Sequence, residues 1–380
     1  MIKVMALIMS VLVAVTSGGY GVTGGYKMQT SKGEFIKILF NKEKTIAEKC
    51  IGKPSGDVWS EEDEYTLDCG AAVFKEKDRD FRILNVADIH FSDFGYRIFT
   101  GIGAEAVLRA IVRDVKPDLI TLSGDMVCGD SDSYSIRRLT DLMESFGIPW
   151  APVFGNHDDE SNCDQNFLCD VMMSGPHCLL KKGDPRMGCG NYAVNIIEKD
   201  ESGGRLIETL LMTDSHHSQP NEIQNQWAKW VCEGTEKISG GNAEVSAIMH
   251  IPLPEYETAY RLYHSGDSWD DDCSGCGDRF EKICCEYDKN GNPSSRGFFD
   301  VLKEAGNAKY VFCGHDHLND FSVLYEGIRL TYMMKIGMAS GFRPGFDGGT
   351  VITVGGNGIK AINHKTVSLI GFRDRLTVNI

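Results

Sequence analysis

Five short clusters of metal-ligating residue types punctuate this chain: Asp88-Ile89-His90, Gly124-Asp125, Gly155-Asn156-His157-Asp158, His250 and Gly314-His315-Asp316-His317. Carboxylates, imidazoles and an amide oxygen are donors that suit Fe, Zn or Mn. A lone His-x-His is weak evidence for a metal. The position of each cluster adds weight. The first follows Phe81-Arg82-Ile83-Leu84-Asn85-Val86-Ala87 and the second Leu119-Ile120-Thr121-Leu122-Ser123. The third follows Trp150-Ala151-Pro152-Val153-Phe154, His250 follows Val245-Ser246-Ala247-Ile248-Met249, and the last follows Tyr310-Val311-Phe312-Cys313. Apolar runs of this length read as buried strands, and an open α/β sheet places its chemistry at strand ends.

The elements that must position these clusters are legible between them. Ala104, Val107, Leu108, Ile111, Val112 and Val115 recur at helical spacing, and Pro117 stops that helix. Ile136, Leu139, Met143 and Phe146 form a second stripe, with Gly147 suited to its C-terminus. Ile223, Trp227, Trp230 and Val231 form a third, closed by Gly234, and a helix around Phe298, Phe299 and Leu302 precedes the last ligand strand. Strand–helix alternation of this kind predicts an α/β, βαβ-type core with covering helices. Tyr192–Ile197 and Arg205–Thr213 read as strands around Gly203-Gly204; the second ends in Thr213-Asp214-Ser215-His216-His217, which makes His216 and His217 candidates for touching substrate or metal. Residues 322–380 alternate apolar and polar positions with many glycines and read as closing strands and hairpins, with His364 expected on the surface. His177 and His264 are expected in loops.

A cysteine-rich insertion spans about residues 255–295. It carries Tyr256, Tyr260, Tyr263, the acidic run Asp270-Asp271-Asp272, and Cys273, Cys276, Cys284 and Cys285. Its cysteines suit disulfides or a zinc site. Lying between two ligand strands, it is placed to overhang the site and select substrate. The N-terminus, with Lys3 before the apolar stretch Val4 to Val15 and small residues near Ser17, reads as a signal peptide over 1–17, too short to span a bilayer comfortably. Residues 18–80 read as a glycine-rich leader and a small β appendage that Cys50 and Cys69 would staple, and 81–380 as the main domain. With a signal peptide, 13 cysteines point to disulfides plus at least one free thiol, Cys128 and Cys313 being taken as free. The expected destination is the secretory pathway, either secreted or lumenal and vacuolar. A net charge of −15 disfavours nucleic acid and anionic membrane surfaces as partners. Bound cations would reverse the sign locally and admit phosphate.

The ordered set Asp-x-His, Gly-Asp, Gly-Asn-His-Asp, His and Gly-His-x-His, from about Phe81 to Phe321, resembles the calcineurin-like binuclear metallophosphoesterases. His250-Ile251-Pro252-Leu253-Pro254-Glu255-Tyr256 and Gly314 to Phe321 are similar to the purple-acid-phosphatase-like, single-domain phosphatases of plants and fungi. The resemblance implies a central two-sheet β-sandwich flanked by helices and a phosphoric ester hydrolase with two metal ions, Fe, Zn or Mn. It implies Asp88, His90 and His317 on one metal, Asn156, His250 and His315 on the other, and Asp125 bridging. A hydroxide shared by the metals would attack phosphorus in line, with His157 as general acid oriented by Asp158. The expected substrate is a phosphate monoester on a small molecule or phosphoprotein. A phosphodiesterase acting on nucleotides or phospholipid headgroups, or a catalytically silent binding protein, are the alternatives. One departure stands out: Cys128 occupies the position of the tyrosine that binds ferric iron in purple acid phosphatases, which puts a ferric–tyrosinate centre in doubt.

Overall fold

Strands that are buried on both faces lose the polar–apolar alternation of a half-exposed sheet, and the ligand-bearing strands here do so because they lie inside a layered stack. The computed structural model describes residues 50–380 apart from 54–57, 93–97, 129–131, 159, 161–162, 201–203, 266–272, 288–289, 291–293, 338–340 and 369–370. The stretch read as a signal peptide, the glycine-rich leader and the acidic run 270–272 lie outside the described residues.

In chain order the described elements are β1 (Ala71–Lys75), β2 (Phe81–Val86), α1 (Ile98–Val115), β3 (Leu119–Ser123), α2 (Asp132–Glu144), β4 (Trp150–Val153), α3 (Gln165–Met172), β5 (Tyr192–Glu198), β6 (Arg205–Met212), α4 (Glu222–Ser239) and β7 (Glu244–Ile248). They continue with α5 (Glu255–Ser265), β8 (Ser274–Cys276), α6 (Phe298–Ala305), β9 (Ala308–Cys313), β10 (Ser322–Tyr325), β11 (Ile328–Tyr332), β12 (Gly348–Gly355), β13 (Gly358–Ser368) and β14 (Gly371–Asn379). The described strands form two sheets, ordered β1-β5-β6-β7-β9-β11-β10-β8 and β14-β13-β12-β2-β3-β4. β2, β3 and β4 run parallel, as do β6, β7, β9 and β11, so the ligand-bearing ends of each set point the same way.

The alternation of side chains along a strand builds the layers. Tyr310 and Phe312 of β9 face one apolar cluster, shared with Ile83, Leu84, Leu122 and Val153 of the smaller sheet; Val311 and Cys313 face a second, shared with Trp227 and Val231 of α4 and Phe298, Phe299 and Leu302 of α6. The first cluster fills the space between the sheets and also takes the α1 stripe and Ile136, Leu139 and Met143 of α2. The second lies on the outer face of the larger sheet. This is the α/β sandwich flanked by helices expected above. Among the described residues, no helix is long and apolar enough to cross a membrane.

Several expectations are corrected. Residues 71–75 do not stand apart as an appendage: β1 is the edge strand of the larger sheet, paired in parallel with β5. Cys50 and Cys69 do not staple each other; the backbone of Cys50 bridges that of Cys163, and the Cys69 sulfur sits against Thr66. His264 lies in α5 rather than a loop. His177 does sit in a turn, held by Glu144 at 2.6 Å. His364 is not on the surface. It is fully buried on β13, with Nδ1 2.9 Å from Thr350 Oγ1, because the residue pairing across β12–β13 turns it inward.

Burial pushes the His364 imidazole down to about 4, so the folded state keeps it neutral. Its contribution to stability is therefore full above the unfolded value of 6.5 and is lost as pH falls from there toward 4, a loss of about 3 kcal/mol. Denaturant titrations of His364→Gln at pH 4 to 7 are expected to show a flattened acid limb; an unchanged slope would contradict this assignment.

Candidate metal centre

The five ligand clusters converge because five strands, three from one sheet and two from the other, deliver their ends to one point. Asp88 and His90 follow β2, Asp125 follows β3, Asn156 follows β4, His250 follows β7, and His315 and His317 follow β9. The connections are strained. Asp88, His90, Asp125 and His315 all have positive φ (51°, 46°, 50° and 74°), a conformation costing non-glycine residues about 1–3 kcal/mol each and typical of functional sites. Gly124 has φ 86°, and a Cβ there would lie 2.3 Å from His250 Nδ1, so only glycine lets β3 pass so close to that ring.

Ligand atoms of Asp88, His90, Asp125 and His317 lie within 4.8 Å of one another, as do those of Asp125, His250 and His315. Asp125 belongs to both groups. Its Oδ1 is 3.3 Å from His250 Nε2 and its Oδ2 is 3.5 Å from His90 Nε2. His90 Nε2 and His317 Nε2 face each other at 3.2 Å, and His317 Nε2 lies 3.3 Å from Asp88 Oδ1. On the other side His315 Nδ1 is 3.2 Å and Asn156 Oδ1 3.1 Å from His250 Nε2.

The donor set fits two cations. His250 Nδ1 lies 2.9 Å from the Ser123 carbonyl, which can only accept, so Nδ1 carries the proton. Nε2 is then a lone pair turned toward the acceptor oxygens of Asp125 and Asn156 and toward His315. Facing lone pairs at 3.1–3.3 Å need a positive charge between them. Without metal the protein supplies a proton instead. Burial works against a charged His250, yet Asp125 and Asp88 push it up to about 10. Burial and neighbouring imidazoles push His90 and His315 down to about 4, leaving them neutral and able to bind metal. Burial alone would raise Asp88 and Asp125, but His317 and His250 respectively hold them below the usual carboxylate range.

His157 stands at the mouth of the site. Its backbone N–H donates to Asp125 Oδ1 at 2.9 Å, its Nε2 lies 4.0 Å from Asp125 Oδ2, and its ring is stacked edge-on at 5.2 Å from His90. The partner expected for it, Asp158, is elsewhere. The Asp158 carboxylate is fully buried and accepts from the backbone N–H groups of Val127 (2.9 Å) and Gly155 (2.7 Å), tying the loop after β3 to the loop after β4. Glu160 instead holds His157 Nδ1 at 2.6 Å. The resemblance pointed to the adjacent Asp158, whereas the carboxylate three residues on, Glu160, is the one that reaches the ring.

The two histidines after β6 are not brought into either group. His216 Nδ1 is 2.8 Å from Gln165 and 3.5 Å from Asp214, with Nε2 against Gly188, and His217 is exposed on the same turn. Cys128 is also outside both groups; its sulfur lies 3.5 Å from the His90 carbonyl. Nor do Cys273, Cys276, Cys284 and Cys285 gather into a zinc site among the described residues; Cys284 lies with His315 and Asp316. The residues of the last motif that are not ligands have a separate task. Asp316 accepts from Cys284 N, Asn319 from Phe280 N and Glu281 N, and Asp320 from Asp278 N, so the ligand turn anchors the insertion. Lys335 gave no sequence signal. It is buried, opposite Ala87 on the bridge leading to Asp88, and donates to the Gly337 carbonyl.

Residues 81–319 match the model of a domain family described as calcineurin-like phosphoesterase. The chain is 28% identical over 296 residues to "Probable inactive purple acid phosphatase 14" of Arabidopsis thaliana, covering 66% of this chain and 69% of that protein. It is 27% identical over 287 residues to "Phosphatase DCR2" of Saccharomyces cerevisiae, covering 67% of this chain and 47% of that one. Among solved structures, a purple acid phosphatase from yellow lupin seeds aligns with a TM-score of 0.46 at 9% identity, covering 79% of this chain and 54% of that one.

Free metal at a hundredfold over its dissociation constant is expected to stabilise the fold by about 2.7 kcal/mol per site, read as a raised melting midpoint. Asp125→Asn, which removes the carboxylate common to both groups, should abolish most of that shift, whereas the surface change Asp374→Asn should leave it. Equal shifts in the two variants would sink the assignment.

Proposed function

The chain belongs to the calcineurin-like phosphoesterase family, and on that premise we propose that it is a metal-dependent phosphomonoesterase with His157 as general acid. Asp88, His90, His317 and Asp125 would hold one ion, and Asn156, His250, His315 and Asp125 the other. When bound, two such ions supply charge neutralisation for the phosphoryl group and a nucleophile drawn from water. The remaining work falls to the chain's own residues.

The observation that carries the reading is the placement of His157. It is 39% exposed at the mouth of a buried ligand cluster, with Nε2 turned toward Asp125 and Nδ1 fixed by Glu160. A group so placed reaches a leaving-group oxygen from outside. In its imidazolium form Nε2–H passes its proton to that oxygen as the P–O bond breaks, and Glu160 stabilises the cation and sets the ring's orientation. Glu160 thus takes the role expected of Asp158, whose carboxylate instead sets the spacing of the loops that carry Asp125 and Asn156. A phosphorylated small molecule or phosphoprotein suits the site, and the chain's acidity argues against nucleic acid.

A second reading has one specific support: the word "inactive" in the name of a relative at 28% identity. Under it the site binds metal and phosphate without turnover. The complete donor set and the poised His157 favour catalysis.

Metal-loaded protein assayed on phenyl phosphate, p-nitrophenyl phosphate and bis(p-nitrophenyl) phosphate separates these readings. Monoester turnover above diester turnover is expected. His157→Ala should lower kcat on phenyl phosphate by about 10²–10⁴-fold. The loss should be much smaller on p-nitrophenyl phosphate, whose leaving group needs little protonation. Diester preference would move the assignment to a phosphodiesterase, and stoichiometric metal with no turnover would establish the binding-only reading.

A further inference from the structure

Two arginines lie over two phenylalanine rings beside the metal centre, and a third comes close to the same loop. Arg343 lies over Phe280 at 4.4 Å and over Phe346 at 5.3 Å, and Arg375 lies over Phe346 at 3.8 Å. The two rings meet edge-on at 5.4 Å. A Cβ on Gly345 would lie 3.7 Å from Arg373 Nη2, which brings the third guanidinium to the same loop. Arg375 is neutralised by Asp320. Arg343 and Arg373 are exposed, and among the described residues no carboxylate stands within ion-pair distance of either. In a chain of net charge −15 such a patch needs an explanation.

Its location supplies one. The loop carrying Arg343 touches the metal site: Gly341 has φ 70°, and a Cβ there would lie 2.6 Å from His317 Nδ1. Phe280 is fixed from the other side. Its N–H donates to Asn319 at 3.0 Å, and the neighbouring Glu281 carboxylate is engaged by the Leu318 N–H at 3.1 Å, one residue beyond His317. Phe280 nevertheless leaves 48% of its surface exposed. Its ring and that of Phe346 both contact the Arg343 guanidinium, which limits the entropy lost when its N–H groups take up a ligand. A guanidinium can bind phosphate in a bidentate manner.

We propose that Arg343 and Arg373 form a second anion subsite, beside the metal centre, that takes the non-reacting phosphate of a substrate carrying two phosphate groups. This rests on the phosphoesterase reading and deepens it: the preferred substrates are phosphate esters bearing a second phosphate on the leaving group. The patch is contributed jointly by the insertion through Phe280, by the loop before β12, and by β14. A chain without that insertion would lack the aromatic platform.

Calorimetry on the metal-loaded full chain, with butyl phosphate and alkanediol bisphosphates of graded spacer length, tests the subsite without requiring turnover. At the best spacer a bisphosphate is expected to bind about tenfold or more tightly than butyl phosphate, the yield of one charge-assisted hydrogen bond. Arg343→Gln with Arg373→Gln should erase that preference while leaving butyl phosphate binding and p-nitrophenyl phosphate turnover unchanged; Arg343→Lys with Arg373→Lys should retain part of it. A wild-type protein with no preference at any spacer overturns the proposal, as does a preference that survives in the double glutamine variant or an equal loss for butyl phosphate. If the preference is present and lost as expected but no ester is hydrolysed, the subsite stands and the monoesterase reading falls.

Discussion

The carboxylate of Asp125 is the constraint on which the rest depends. It is buried at the end of β3 in a left-handed backbone conformation, and each of its oxygens serves a different imidazole. An anion taken out of water costs several kcal/mol unless it is paired and hydrogen-bonded. Here the His157 N–H and the imidazoles of His250 and His90 share that compensation. Removing those partners, or placing β3 a residue out of register against β2 or β4, would leave the charge stranded. The register of three parallel strands is therefore tied to the electrostatics of one side chain.

The same logic explains why the site can exist without collapsing. The imidazoles are held from behind, His250 by the Ser123 carbonyl and the loops by Asp158 acting as a clamp between Val127 and Gly155. Ligand nitrogens that face one another at 3.2 Å are thereby kept apart from better partners. This is pre-organisation: strain in four ligand residues is stabilised by the apolar layers on both sides of each strand rather than by contacts among the ligands themselves.

The insertion is part of this construction. Asp316, Asn319 and Asp320 give their side-chain oxygens to backbone N–H groups of residues 278–284, and the Tyr332 hydroxyl supports Asp316 from beneath at 2.5 Å. The turn that carries His315 and His317 thus also fixes Phe280 at the rim. The candidate ligand turn and the rim beside it share one segment of chain, so neither can shift far without the other.

From sequence alone the ligand types, their order and their strand-end positions were readable, because buried parallel strands appear as unbroken apolar runs and their ends as breaks in those runs. The helical stripes of α1, α2 and α4 were readable for the same reason: periodicity is local. What tertiary structure alone decided is everything that depends on distance between segments far apart in the chain. Asp158 and Glu160 sit within three residues of His157, and the resemblance implied the nearer carboxylate; the loop after β3 draws Asp158 inward and leaves Glu160 for the imidazole. His364 looked like one of many polar positions in a hairpin, and only cross-strand pairing turned it into the core. His216 and His217 end a strand as the candidate ligands do, yet β6 delivers His216 to Gln165 and leaves His217 on an exposed turn. The packing of Arg343 and Arg375 on Phe280 and Phe346, with Arg373 beside the same loop, joins three segments with no shared periodicity. One-dimensional pattern records which face of an element is apolar, but not which distant faces the fold will set side by side.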